Sequence, residues 1–471
     1  MREPAGGKGA RQDTHANQTR ERHDGLILLL LGAVAFILVG IAWQRISPIR
    51  MGDFKIVYYS ARCLMQNGDP YSESAVLRIY RAEGHEPATE SQVDREAITR
   101  FFYPPTAFVF TVPFAAMGFG TAKTLWLVLS AGSLILAAIL TWNLAAAFAP
   151  VLSGALLGLL LVNSFWLFMV GNSAAIAVSF CVIAAWCFYR ERFVPAGILC
   201  LAISLALKPN DAGLVWLFFL LAGGTLRKRA LQTAAVVVML SVPVVLWVTH
   251  AAPHWPQELQ ANMSSFTGVG GMSDPAATGM AGRNMDSIVE LQSVVSIFSS
   301  DRGTYNLITY AICFPLVIVW AVVSLRMKPG RARYWLALAA IAPLTMLPSY
   351  HLQHDAKLIM LCIPGCAMLW ARRGWIGGLS MLVTGAGIVI NGDIFSGARI
   401  LLTRHLIVPQ SSFTSRLTTV LLTRPAPLIL VAMAVFFLMV MTMRWLEKWT
   451  TSRDKSVSES SAQMKAQCEL H

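Results

Sequence analysis

The sequence predicts an all-α polytopic membrane protein, and three observations carry that expectation. Only 13% of the residues are charged against 55% hydrophobic, where a soluble protein carries about a quarter charged. The mean hydropathy is +0.56 over 471 residues. The Leu, Ile, Val, Phe, Ala and Trp residues gather in repeated blocks, many near the ~20 residues a helix needs to cross a bilayer. Together these exclude a soluble globular enzyme, a disordered chain and a nucleic-acid-binding protein. The net charge of +13 does not change this, because Lys and Arg stand in short clusters between apolar blocks. That is a topology signal, not a binding stripe.

Residues 1–24 are polar and are expected to form a disordered cytoplasmic tail. They are not expected to be a cleavable signal, since no small-residue cleavage site follows the first apolar block. The transmembrane domain is expected over 25–449, with about twelve spans near 25–45, 121–147, 153–170, 173–189, 194–207, 211–225, 229–250, 304–325, 334–350, 355–371, 375–391 and 425–446. A second disordered cytoplasmic tail is expected over 450–471.

The positive-inside rule sets the orientation. Basic clusters fall at Arg190/Arg192, Arg227-Lys228-Arg229, Arg326/Lys328/Arg331/Arg333 and Arg372-Arg373. The alternating short loops hold only Lys208 and Lys357. Twelve spans with both ends cytoplasmic satisfy these signals, and a thirteenth violates at least one end. The apolar stretch 104–118 is therefore assigned as a re-entrant or surface-lying helix on the outer side. The polar mass then lies outside, in loops 46–103, 251–303 and 392–424. Six of the eight cysteines lie inside apolar blocks, so no disulfide framework is implied.

Asp53 follows the first span closely, in Gly52-Asp53-Phe54 with Tyr58-Tyr59 and Arg62 after it. A carboxylate at a membrane boundary can serve as a general base toward a sugar hydroxyl; Asp is equally a favoured helix N-cap. Phe101-Phe102-Tyr103-Pro104-Pro105 suits an interfacial helix start and also stacking on a sugar or polyprenyl chain. Lys208 at Lys208-Pro209 either snorkels or binds a phosphate. Ser349 to Lys357 is the densest polar cluster between apolar blocks. It reads as a metal site of His351, His354 and Asp355, as an interfacial cap, or, in the favoured reading, as recognition of a pyrophosphate or phosphate leaving group by histidine and lysine. No second ligand cluster supports the metal, so none is expected. Arg283, beside Asn284, either reaches a lipid phosphate or is an ordinary solvated arginine.

In order along the chain, Gly52-Asp53-Phe54 with Tyr58-Tyr59, Gly68-Asp69-Pro70-Tyr71, Tyr103-Pro104-Pro105, Gly171-Asn172, Lys208-Pro209, Asn284 through Leu291-Gln292-Ser293 and His351/His354 form a pattern. Over roughly residues 25–390 it resembles glycosyltransferase family 87, the polyprenol-phosphate-mannose-dependent transferases of GT-C architecture. The resemblance implies an integral enzyme of the plasma (inner) membrane. It would move a hexose, usually mannose, from a polyprenyl-phosphate donor to a glycolipid or glycan acceptor on the extracytoplasmic face, without a cofactor. The family's first-loop Asp acts as base, and Asp53 matches it. A family histidine at the donor carries over to His351 or His354. Donor binding is expected of Lys208, His351, His354 and Lys357, and further substrate contacts of Tyr58, Arg62, Tyr103, Asn172, Arg283 and Asn284. Relatives commonly have Gly-Gln where this chain has Gly171-Asn172. The rival reading is a twelve-span lipid-linked sugar flippase or transporter.

Overall fold

The computed structural model describes residues 7–46, 51–83, 99–271, 273–276, 287–327, 329–403 and 412–443. Arg283 and Asn284 fall outside them, as does the tail 450–471. The described residues are helical throughout, apart from turns, loops and one isolated bridge between Ile288 and Leu352. Backbone groups that lose water must pair within their own segment, and apolar blocks therefore become helices.

Among the described residues, six helices are long and apolar enough to cross a membrane: Asn17–Ile46, Phe119–Ala145, Pro150–Val170, Gly224–Ala251, Arg302–Arg326 and Pro425–Met443. A seventh span results if Trp375–Ile390 and Asp393–Leu402, bent by 62°, count as one. Several other blocks expected to span form shorter helices: Ala174–Arg190, Val194–Leu207, Pro209–Ala222 and Arg331–Met346. The block expected at 355–371 starts as a 3₁₀ helix, Asp355–Cys362, and becomes α-helical over Ile363–Trp370. Residues 104–118 hold a 3₁₀ turn and a short helix, Pro105–Ala115. At about 1.5 Å per residue that helix is too short to cross a bilayer. The opening helix begins at Gly7, so much of the tail expected to be disordered has helical backbone. Extending a formed helix costs far less than nucleating one.

The opening helix packs on Pro150–Val162 through glycines. A Cβ at Gly154 would lie 1.9 Å from the Gly25 carbonyl oxygen, and one at Gly32 would lie 2.3 Å from the Gly158 Cα. In lipid, where no hydrophobic effect drives helices together, such close backbone approach gives the dispersion contact that does. It fixes the end of the opening helix beside Phe168 and Met169. Gln44 donates to the Phe168 carbonyl at 2.9 Å and to the Met51 sulfur at 3.0 Å.

Four short helices run back and forth between the same two ends and position the site. Ala174–Arg190 runs from Asn172-Ser173 to Arg190, and Val194–Leu207 returns from Arg192 to Lys208. Pro209–Ala222 leaves Lys208 toward Arg227, and Arg331–Met346 leads from Arg331 to the 347–354 loop. The arginine clusters thus gather at one end and the polar motifs at the other. Two surface depressions of about 580 and 650 Å³ lie among the arginines. The first is lined by Tyr189, Arg190, Arg331 and Tyr334, and the second by Phe148, Trp370 and Arg373 among others. Neither touches the polar motifs.

Candidate active site

Asp53 is the second residue of the helix Gly52–Met65, whose N-cap is Met51. It is therefore not the capping residue, although an anion in the first helical turn is favourable to the macrodipole. Met51 holds a left-handed φ of 55°, fixed by its N–H donating to the Met169 carbonyl at 3.0 Å. Across from it Gly171 has φ 69°, and a Cβ there would lie 2.8 Å from the Met51 Cε and 2.9 Å from the Phe54 Cβ. Only glycine fits both the backbone and the space. The turn at Gly171 presents Asn172, whose Nδ2 donates to Asp53 Oδ2 at 2.6 Å. Asn172 Oδ1 accepts from the Ala174 N–H at 2.8 Å, which locks the amide's orientation. Asp53 Oδ1 makes no hydrogen bond among the described residues. Asp53 is partly exposed, yet densely surrounded by protein. That burial raises its pKa, against the opposing effects of the Asn172 hydrogen bond and the charge of Lys208.

Lys208 caps Pro209–Ala222 and reaches back to this point. Its Nζ lies 2.5 Å from Asp355 Oδ1 and 4.0 Å from Asp211 Oδ2. Burial opposes its charge, but the two carboxylates outweigh that and raise its pKa. His351 is fully buried. Its Nε2 lies 3.2 Å from Asp211 Oδ1 and 3.1 Å from Asn210 Nδ2, and its Nδ1 faces the Ser349 carbonyl at 2.8 Å. Burial disfavours the imidazolium, but the hydrogen bond and charge of Asp211, with the charge of Asp355, raise its pKa. Lys208 is thus paired with Asp355, and His351 with Asp211.

A short strap positions His351. Val289 N–H donates to the His351 carbonyl at 3.1 Å, Gln353 N–H to the Ser287 carbonyl at 2.8 Å, and Leu291 N–H to the Leu347 carbonyl at 3.0 Å. The Glu290 carboxylate takes a hydrogen bond from the His351 backbone, and burial raises its pKa to about 7. Arg424 donates to the Pro275 and Ser293 carbonyls and to Ser296 Oγ at 3.0 Å, tying this strap to the last helix.

Tyr103 closes the near side. Ser173 Oγ donates to its hydroxyl at 3.1 Å, and its own carbonyl accepts from Tyr71 at 3.0 Å. Burial raises its pKa to about 12. Thr106 Oγ1 donates to the Ala206 carbonyl at 2.6 Å, binding this loop to the helix that ends at Lys208.

Asp53, Tyr103, Asn172, Lys208 and His351 thus converge from five separate segments. The other expected residues are held differently. His354 is buried, with no hydrogen-bond partner for its Nδ1 among the described residues and its ring 6.5 Å from that of Trp166. Burial, opposed only in part by Asp355, lowers its pKa to about 3, so it is a neutral imidazole. The two histidines turn to different partners. Lys357 is 3% exposed, and its Nζ meets the Asn163 carbonyl at 2.6 Å, the Asn391 carbonyl at 3.1 Å and Asp393 Oδ1 at 3.4 Å. An ammonium has three N–H donors, so Lys357 braces the bend before Asp393 and has no donor left for a phosphate. Tyr58 is buried among Phe54, Tyr59 and Phe119, and its hydroxyl donates to the Met117 carbonyl at 2.8 Å. Arg62 pairs with Glu83 and with the Ala115 carbonyl. Neither side chain joins the cluster. Asp211, Asn210, Ser173, Tyr350 and Glu290 were not anticipated as site residues. One signal in the chain pointed to Asp211: an acidic residue at the start of an otherwise apolar block, three positions after Lys208.

Residues 101–349 match the profile of glycosyltransferase family 87. The chain belongs to glycosyltransferase family 87. It is accordingly a membrane glycosyltransferase. No curated protein matches the chain. Within the family 87 match lie Tyr103, Asn172 and Lys208, together with the Asp211 carboxylate and the Glu290 strap. Asp53, His351, His354 and Lys357 stand outside it, so the fold alone brings Asp53 and His351 to the matched part.

Proposed function

We propose that this family 87 chain transfers a hexose, mannose in the first instance, from a polyprenyl monophosphate to an acceptor hydroxyl, with Asp53 as the general base. The observation that carries the reading is the Asp53 carboxylate fixed by Asn172 at 2.6 Å, with one oxygen left open, in the same cluster as the Lys208 ammonium. A base and a cation for the departing phosphate are the two groups such a displacement asks of a protein.

In the step itself, the acceptor hydroxyl gives its proton to Asp53 Oδ1 and its oxygen bonds to the anomeric carbon. The bond from that carbon to the phosphate oxygen breaks, and polyprenyl phosphate leaves with the electron pair. This is a single inverting displacement. The leaving phosphate meets Lys208. His351 acts behind Lys208: it pairs with Asp211 at 3.2 Å, which leaves Lys208 with Asp355 as its close carboxylate partner. The donor brings an activated sugar, and the step draws on no resident cofactor.

The twelve-span GT-C arrangement, with both termini cytoplasmic in the plasma membrane, agrees with arginines at one end of the short helices and the site at the other. A 14-residue helix such as Val194–Leu207 covers about 21 Å, short of the ~30 Å hydrocarbon core. With its arginine end at the cytoplasmic boundary, Lys208 lies in a recess below the outer surface. That depth lets a lipid-linked donor enter sideways.

The test uses purified protein in liposomes carrying radiolabelled polyprenyl-phosphate mannose and candidate acceptors. Label moving to a new product supports the transferase; label that only changes leaflet supports a flippase. Asp53→Asn is expected to lower transfer by about 10²–10⁴-fold with expression unchanged, and substantial residual transfer refutes the assignment.

A further inference from the structure

The depression of about 580 Å³ at the arginine end lies between two helix ends. Tyr189, Arg190 and Glu191 line it from the close of Ala174–Arg190, and Gly330, Arg331 and Tyr334 from the start of Arg331–Met346. Tyr334 holds the two helices together. Its hydroxyl donates to the Ala185 carbonyl at 2.7 Å, and its ring lies 4.9 Å from that of Tyr189. The wall of the recess is therefore fixed by packing.

Its charges do not balance. Glu191 is answered by Arg229, whose Nη2 lies 3.2 Å from Glu191 Oε1. Arg190 directs its Nη2 to the neutral Asn143, at 3.0 Å to Oδ1 and 3.3 Å to the carbonyl oxygen. Arg331 makes no hydrogen bond or ion pair among the described residues. Both arginines are exposed, and neither meets a carboxylate among those residues. Arg333 adds a third cation two positions on. It is 8% exposed and reaches the Leu221 carbonyl at 3.5 Å, with no partner for its Nε among the described residues. The first turn that carries Arg331 and Arg333 has no acidic residue and no side-chain cap, so these cations also oppose the helix dipole. A recess with this surplus of positive charge is complementary to an anion.

A guanidinium matches the paired oxygens of a phosphate. The volume falls within the range of about 300–1,000 Å³ that holds whole small molecules, so it suits a phosphate ester with an organic part rather than a bare ion. Basic recesses between membrane helices receive lipid headgroups in this way, and a soluble phosphate ester presents the same chemistry.

We propose that this recess binds a phosphate ester, its phosphate between Arg190 and Arg331 and its organic part in the remaining volume. The site lies at the opposite end of the helices from Asp53 and stands whether or not Asp53 is the base. The two helices that the ligand joins lead, at their other ends, to Asn172 and to the loop of His351.

The experiment uses the full chain in phosphatidylcholine nanodiscs titrated with glycerol 3-phosphate. A second arm replaces a rising share of the phosphatidylcholine with phosphatidylglycerol. The readout is the ligand-induced rise in melting temperature within each protein, with its midpoint. Arg331→Gln is expected to weaken binding about fivefold and Arg190→Gln/Arg331→Gln about 25-fold. Arg373→Gln, at the same end but in the other depression, should leave it unchanged. A response to glycerol 3-phosphate identifies a soluble source, and a response to phosphatidylglycerol alone identifies a lipid; either, weakened in the double variant, supports the proposal. No response to either probe overturns it. So does an equal response in wild type and double variant, an equal loss in Arg373→Gln, or the same rise with sodium acetate at matched ionic strength. Should the double variant not fold, Arg331→Gln, which removes no bond among the described residues, is judged by the same outcomes.

Discussion

Replacing Asn172 by alanine separates what holds Asp53 from what Asp53 does. The Asn172 amide donates to the carboxylate at 2.6 Å and opposes the burial that raises the Asp53 pKa. A hydrogen bond to a charged group is worth about 1.5–3 kcal/mol. Asp53 is partly exposed, so water entering the vacated space recovers part of this, leaving about 1.4 kcal/mol. That corresponds to about one pH unit. The lost bond favoured the ionised form, so the pKa moves further up. A base acts only when deprotonated, so activity falls as pH drops through that value. The acid limb of kcat/KM against pH therefore shifts about one unit toward higher pH in Asn172→Ala, with the plateau at alkaline pH largely kept. Alanine also removes the acceptor for the Ala174 N–H, lowering stability by about 1 kcal/mol; a thermal melt reads that separately. Asn172→Asp keeps the cap but sets two carboxylates side by side, and its acid limb should rise further still. A limb that stays in place or moves to lower pH in Asn172→Ala refutes the role of the amide.

Lys208→Met strands Asp355 and Asp211, which are 3% and 1% exposed, and should lower stability by about 3–5 kcal/mol. Adding Asp355→Leu should recover most of the melting temperature but none of the transfer, which distinguishes a phosphate-binding lysine from a structural one. Lys357→Met removes the cation beside Asp393, which keeps its bonds from Trp166 N–H and Gln353. A stability loss of about 3 kcal/mol is expected by thermal melt, with kcat per folded molecule changed much less than in Lys208→Met. The raised folded-state pKa of His351 means that the stability and phosphate attraction of its imidazolium are complete below the ordinary value and lost as pH climbs through the raised one. Donor KM should rise across that range, and His351→Gln should abolish this dependence.

Composition and block length settled the class of this protein without any coordinates. A chain so poor in charge dissolves in lipid, and lipid permits only helices or closed barrels. The basic clusters identified the end of the helices opposite the site. Asp53, Lys208 and His351 drew notice in the sequence because each is a polar group at the edge of an apolar block, where its cost demands a reason; Asn172 entered only through the family resemblance. The same logic gave too much weight to Lys357, Tyr58 and Arg62. Polarity at a boundary does not reveal which way a side chain turns, and these three turn into carbonyls and carboxylates of their own surroundings. Nor did the count of apolar blocks give the count of full-length helices. Several blocks fold into helices of 14 to 17 residues, whose length answers to neighbours rather than to the bilayer. The tertiary structure alone decided that Asn172 meets Asp53 across 119 positions, that Lys208 meets Asp355 across 147, and that Phe266 stands between Phe102 and Tyr350. Long-range pairing has no local periodicity to announce it. It follows from glycine-sized gaps and helix lengths that bring distant ends of the chain together.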